Sequence, residues 1–224
     1  MPPPSDKLAR LLVELQREGI SDPRVLAAME RVPREFFVPP EHCSHALRNI
    51  PLPIGEGQTI SQPFVVALMT QSLALTGNEK VLEVGTGSGY QCAILAELSR
   101  TVVSIERFPL LATEARRRLK QLRYRNVQLV VGDGSLGHPA EAPYDAIVVT
   151  AASPRVPSPL IDQLAEGGRL ILPLGSHLSQ KLVLFTREGG QLLSSQLGAV
   201  RFVPLVGKAG WKEQEAEAFL DDLW

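Results

Sequence analysis

The segment Val81-Leu82-Glu83-Val84-Gly85-Thr86-Gly87-Ser88-Gly89-Tyr90 constrains this chain more than any other. A short strand pattern, apolar but for Glu83, runs straight into alternating glycines, and helical apolar spacing resumes from Gln91 to Leu98. Strand, tight glycine turn and helix together present backbone N–H groups to a nucleotide-like ligand. A dinucleotide fingerprint, Gly-x-Gly-x-x-Gly/Ala, needs a small residue at position 90, where the helix start approaches a pyrophosphate; Tyr90 stands there instead. The spacing Gly-x-Gly-x-Gly therefore disfavours a nicotinamide dehydrogenase. It suits a ligand without a pyrophosphate, S-adenosylmethionine, whose charged amino-acid end lies over the same turn. Alone, the motif is also compatible with a plain glycine-rich strand–helix corner.

Two further strand ends narrow the choice. The apolar run Thr101 to Ile105 ends in Glu106, and an acid at the tip of the second strand of a doubly wound sheet accepts hydrogen bonds from ribose hydroxyls. A carboxylate suits that place because it offers lone pairs and no donors. The alternative is a surface Glu106 paired with Arg107. A third run, Val127 to Val131, leads into Gly132-Asp133-Gly134, the corner beside the adenine, where Asp133 is expected to accept from the exocyclic amine. Alone, Asp133-Gly134 would be an ordinary turn; three strand ends carrying glycine turn, acid and Asp-Gly in order form a stronger signal.

Strand and helix patterns alternate from residue 80 onward: strands over 80–84, 101–105, 127–131, 144–149 and 169–173, helices near 88–99, 108–122 and 157–165. That alternation predicts an α/β fold with a doubly wound, mostly parallel sheet. Glu188-Gly189-Gly190-Gln191 leaves no room for a helix between the runs 181–186 and 200–204, so an antiparallel pair is expected at one edge. Ahead of the sheet, Leu8, Leu11, Leu12 and Leu15 recur at helical spacing, and Asp22-Pro23 caps a second short helix. The expected organisation is N-terminal helices and a substrate loop over 1–78, a cofactor core over 79–211 and an acidic tail over 212–224. Phe219, Leu220, Leu223 and Trp224 give the tail an amphipathic helical spacing.

A net charge of −1 supplies no basic field for nucleic acid or a membrane surface, and 44% apolar residues in 224 suffice for one substantial core. Cys43 and Cys92, far apart, suggest no disulfide framework and fit a reducing cytoplasm. His42-Cys43-x-His45 has metal-ligating atoms but no second ligand pair, so no metal is expected. A monomer is the expected state.

The loop Gly55 to Pro63 precedes an apolar helix expected from about Gln62 to Leu75. Residues 49–60, rich in Pro and Gly, read as irregular. Ser61 stands where an N-cap is expected, with Pro63 in the first turn. Free N–H groups and a hydroxyl at a helix start also make an anion site suited to a carboxylate.

Taken together, Gly57-Gln58-Thr59-Ile60-Ser61-Gln62-Pro63, Val81 to Tyr90, Val130 to Gly134, Pro143 to Ile147, Leu160 to Leu164 and Gly167 to Pro173 resemble the protein-L-isoaspartate O-methyltransferases. Val32 to Pro39 and Arg201 to Leu205 resemble the same family, so the likeness spans residues ~5–211. It implies a Rossmann-like methyltransferase fold, S-adenosylmethionine as cofactor, and methylation of the free carboxylate of isoaspartyl residues in damaged peptides and proteins. Ser61 falls on the family's active-site serine. Gly85, Gly87, Glu106, Asp133 and Gly134 fall on cofactor positions, and Gln58, Thr59 and Thr86 are expected to join them. Val66 stands where some members carry a His, so no imidazole role transfers. A methyltransferase of other substrates shares the cofactor half but leaves Thr59-Ile60-Ser61 unexplained. An adaptor that merely binds isoaspartyl chains has no need of a methyl donor.

Overall fold

The computed structural model describes residues 5–216. Amphipathic α1 (Asp6–Arg17) begins at Ser5, whose side chain accepts from the Leu8 N–H, and buries Leu11 and Leu15. In α2 (Pro23–Arg31), Asp22 caps by accepting from the Arg24 N–H, and Val25, Ala28 and Met29 face inward. Leu52–Gly55 (β1) and Gln58–Ile60 (β2) then pair antiparallel. The stretch expected to be irregular is thus a hairpin. Glu56 and Gly57 form its tip with φ of 52° and 64°, the doubly left-handed pair that matches strand twist in a two-residue turn. The prolines disguised it: Pro53 removes a donor, which an isolated two-stranded ribbon tolerates.

Helix α3 (Pro63–Ser72) follows. The main sheet is built from β3 (Lys80–Val84), β4 (Thr101–Glu106), β5 (Val127–Val131), β6 (Tyr144–Val149), β7 (Leu164–Gly175), β8 (Gln180–Glu188) and β9 (Gln191–Val200), with α4 (Tyr90–Leu98), α5 (Pro109–Gln121) and α6 (Ser158–Asp162) in the connections. Its order is β5-β4-β3-β6-β7-β8-β9. Pairs from β5 through β7 are parallel, and β8 runs antiparallel to both β7 and β9. The expected doubly wound sheet with an antiparallel edge is present. Its second edge strand differs in place: β9 occupies 191–200, not 200–204, because the Gly189-Gly190 turn returns the chain at once and register runs Glu188 against Gln191. Helix α6 is shorter than expected and β7 begins earlier, at Leu164.

Alternation along the strands divides the core between two sheet faces. Val81, Val102, Ala146, Val148 and Ile171 join the cluster that holds α1 to α4. Leu82, Val84, Val103, Ile105, Ile147 and Val149 join the opposite cluster with Leu160 and Leu205. Strands covered on both faces read as nearly continuous apolar runs, which is why they were legible. The order reverses at β3, where the chain runs outward through β4 and β5 and then crosses back to β6. A cleft opens at such a switch point, beyond the carboxyl ends of the strands.

Candidate active site

The glycine loop lies at this switch point. Gly85 adopts φ +95°, and a Cβ there would collide with Thr150 Oγ1, at the end of β6. The Thr150 hydroxyl donates 2.6 Å to the Gly85 carbonyl. A side chain at position 85 would drive the β3 and β6 ends apart and carry its own strain.

Glu106 holds the other side. It is buried, its Oε2 accepts from the Gly87 N–H at 2.7 Å and its Oε1 from the Phe108 N–H at 3.0 Å. Arg107 pairs instead with Glu213 at 3.0 Å, so the surface-pair alternative for Glu106 fails. With one lone-pair site left on each oxygen, the carboxylate retains capacity for two donors.

One cavity is bordered by Gln58, Thr59, Ser61, Gly85, Thr86, Gly87, Glu106 and Gly134 together. Eight of the nine residues expected from sequence therefore meet in one place. Asp133 is the exception. Its Oδ1 accepts from the Ser135 N–H and hydroxyl at 3.0 and 2.6 Å, and its Oδ2 from the Lys208 N–H at 2.8 Å. Rather than edging the cavity, it pins the 207–209 loop, which follows the wall residues Leu205 and Val206. The sequence also left Thr150, Phe108 and the Val203–Val206 wall unassigned. The acid-then-helix pattern after β4 could have found Phe108, whereas the wall comes from a distant irregular segment with no motif.

A second cavity adjoins the first and shares Thr59, Ser61, Thr150 and Val203 with it; Phe64, Leu68 and residues 197–202 form its other side. Ser61 stands at the junction. Contrary to expectation it does not cap α3: the N-cap is Gln62, without a side-chain cap bond. Asn49 takes that task from a distance, its Oδ1 accepting from the Phe64 N–H at 3.0 Å while its Nδ2 donates to Glu14 and Glu18. The helix leaves the Ser61 hydroxyl unclaimed. Behind it, the Ser61 carbonyl accepts from Arg34 Nη2 at 3.0 Å.

Beneath the glycine loop, Ser104 Oγ lies 2.5 Å from both Glu83 Oε2, to which it donates, and Thr86 Oγ1. Complete burial pushes the Glu83 carboxyl up to about 8, helped by the Glu106 charge and opposed by Ser104 and the Cys92 thiol. Its raised value has a definite sign. Between the ordinary value near 4.3 and about 8, the native state holds a proton that the unfolded chain has lost, so this group's contribution to stability falls as pH rises. Glu83→Gln, which does not titrate, should gain on the wild type by up to about 1.4 kcal/mol per pH unit across that window and no further above it. Urea unfolding from pH 5 to 9 measures the difference; a gap that stays constant would mean that Glu83 ionises normally.

The model of the protein-L-isoaspartate(D-aspartate) O-methyltransferase family matches residues 6–210. The chain belongs to that family. It is 56% identical over 199 residues to protein-L-isoaspartate O-methyltransferase 1 of Syntrophobacter fumaroxidans, covering 89% of this chain and 93% of that protein. The Vibrio cholerae protein-L-isoaspartate O-methyltransferase is 54% identical over 204 residues, covering 91% and 96% of the two chains. Among solved structures, a protein-L-isoaspartate O-methyltransferase superposes with a TM-score of 0.81 at 33% identity, over 91% of this chain and 67% of the other. A protein of the same description from Plasmodium falciparum, in complex with S-adenosyl-L-homocysteine, gives 0.79 at 27% identity, over 90% and 99%. Fold and family thus agree with the likeness read from the motifs, and S-adenosylmethionine is the methyl donor.

Among the described residues no helix is long and apolar enough to cross a membrane, and no group of three or more His, Cys, Asp or Glu is placed to hold a metal ion. The tail continues as helix from Glu213 to Ala216. Its expected apolar face, Phe219, Leu220, Leu223 and Trp224, lies outside the described residues.

Proposed function

We infer that this chain transfers the methyl group of S-adenosylmethionine to the free carboxylate of L-isoaspartyl residues in damaged proteins, with Ser61 as the residue that receives that carboxylate. The observation that carries the assignment of roles is the placement of Ser61, with its hydroxyl unclaimed by α3, on the border shared by the two cavities. The cofactor's donor set fits the residues present: backbone of the glycine loop for the amino-acid end, Glu106 for the ribose hydroxyls, Gln58, Thr59 and Thr86 along the sides. Asp133 shapes the adenine end through the loop it pins, together with Gly134. The isoaspartyl peptide enters through the second cavity, against Phe64 and residues 197–202.

When bound, the cofactor supplies an electrophilic methyl on a sulfonium. A carboxylate is already ionised at neutral pH, so no general base is required. What the residues must do is orient and exclude water, and such positioning contributes roughly 7–11 kcal/mol in favourable cases. Ser61 donates to the carboxylate oxygen that does not attack, leaving the other in line with the methyl. The neighbouring backbone amide nitrogen then attacks the ester carbonyl and expels methanol, and hydrolysis of the succinimide so formed returns some normal aspartate. That sequence is repair. We further propose that the protein acts as a cytoplasmic monomer on peptide and protein substrates, without nucleic acid or membrane partners.

Methyl transfer from labelled S-adenosylmethionine to an isoaspartyl peptide and to its aspartyl twin tests the reading. Base-labile label is expected on the first and almost none on the second. Equal labelling of both, or of neither while cofactor binds, would overturn it.

A further inference from the structure

Arg34 is the largest fully buried side chain of the described residues, 1% exposed, and none of their ion pairs includes it. Its fork instead donates to three carbonyls: Nη1 to Ala46, and Nη2 to Ile50 at 3.1 Å and to Ser61 at 3.0 Å. Its Nε has no partner, and its guanidinium carbon lies 5.8 Å from the centroid of the Tyr90 ring, at the start of α4. Burial lowers its pKa to about 10, opposed by Tyr90 and Glu35, so the group stays cationic at neutral pH. Tyr90 is itself buried and pushed up, hence neutral. Glu35 is half-buried.

A buried cation compensated mainly by neutral dipoles is costly, and removing it would be the simpler way to fill this volume. Two consequences of its position explain its presence. Across a trans peptide the C=O and the next N–H point in opposite directions; holding the Ser61 carbonyl toward Arg34 turns the Gln62 N–H the other way. Ser61 and Gln62 both border the second cavity. The charge, offset by these carbonyl dipoles and by half-buried Glu35 but by no ion pair, also lies behind the Ser61 carbonyl, where it favours an anion over a neutral group of the same shape.

We propose that Arg34 is the positioning residue of the carboxylate subsite: through the Ser61 carbonyl it fixes the Ser61–Gln62 peptide plane, and its buried charge makes that subsite select an anion. The proposal rests on the function inferred above and adds to it the origin of the charge preference. It also implies that the neutral methyl ester leaves more readily than the carboxylate that entered.

Calorimetry on the enzyme saturated with S-adenosylhomocysteine separates this from a merely structural role. The two probes are an isoaspartyl peptide and its twin with the free carboxylate replaced by a carboxamide. Wild type should bind the carboxylate peptide at least about ten-fold more tightly than its twin, as a charge-assisted hydrogen bond would give. In Arg34→Gln, which keeps a polar group but loses the charge, the ratio should fall to within about two-fold. Arg34→Lys, which keeps the charge, should retain most of the ratio while both affinities drop as the fork is lost. An unchanged ratio in Arg34→Gln, with both affinities weakened in parallel, overturns the role of Arg34 and leaves the methyltransferase reading standing. Should Arg34→Gln fail to bind S-adenosylhomocysteine, Arg34→Met, apolar and unbranched, takes its place: a ratio within about two-fold supports the proposal, and an unchanged ratio overturns it. A wild-type enzyme that binds neither peptide defeats both readings together.

Discussion

Replacing Glu106 with alanine is expected to weaken S-adenosylhomocysteine binding by about a hundred-fold or more, because charged acceptors are worth about 1.5–3 kcal/mol per hydrogen bond and several are lost together. The carboxylate holds the Gly87 and Phe108 N–H groups at 2.7 and 3.0 Å, tying the glycine loop to the start of α5. Its removal leaves both part-buried donors without their acceptor and takes away the acceptor assigned to the ribose. Glu106→Gln should be milder in shape but still damaging, since its amide turns an N–H toward one of those backbone donors. Isothermal calorimetry reads the loss directly. Near-wild-type affinity in Glu106→Ala would place the ribose elsewhere.

Ser61→Ala is expected to lower kcat/KM for the isoaspartyl peptide by about ten-fold or more, a loss of roughly 1.4 kcal/mol in transition-state stabilisation. Cofactor affinity should barely change. The melting temperature should also hold, because α3 takes its N-terminal hydrogen bond from Asn49 and not from Ser61. Asn49→Ala supplies the contrast: loss of a cap typically costs ~1 kcal/mol of stability. If instead Ser61→Ala melts earlier yet methylates at full rate, the hydroxyl is structural and the role assigned to it is wrong.

Much of the site was legible because its chemistry is local. A glycine loop, an acid at a strand tip and a Thr-Ile-Ser segment each declare a backbone shape or a charge within a few residues. Each had an alternative that only three dimensions could remove. Glu106 beside Arg107 reads as a surface pair until burial and the Gly87 N–H show otherwise. Ser61 before Pro63 reads as a cap until Asn49, distant in sequence, is found occupying the helix end. Asp133 reads as an adenine acceptor, and its oxygens also hold Ser135 and Lys208, with one lone-pair site left on Oδ2. The hairpin at 52–60 was hidden because turn and strand residues of opposite propensity alternate there, and pairing with one partner strand outweighs them.

The sequence by itself determined the order and type of the elements from β3 to β8 and the chemistry at the carboxyl ends of the strands. Hydrophobic periodicity and glycine turns are properties of neighbouring residues, and two covered sheet faces demand continuous apolar runs. Only the tertiary structure decided which polar groups are already engaged. That depends on donors and acceptors brought together from remote segments: Asn49 on α3, Lys208 on Asp133, Thr150 on Gly85. Arg34 is the clearest case. The fold buries it against the carbonyls of Ala46, Ile50 and Ser61, acceptors that lie 12 to 27 residues further along the chain and that only folding brings around its guanidinium.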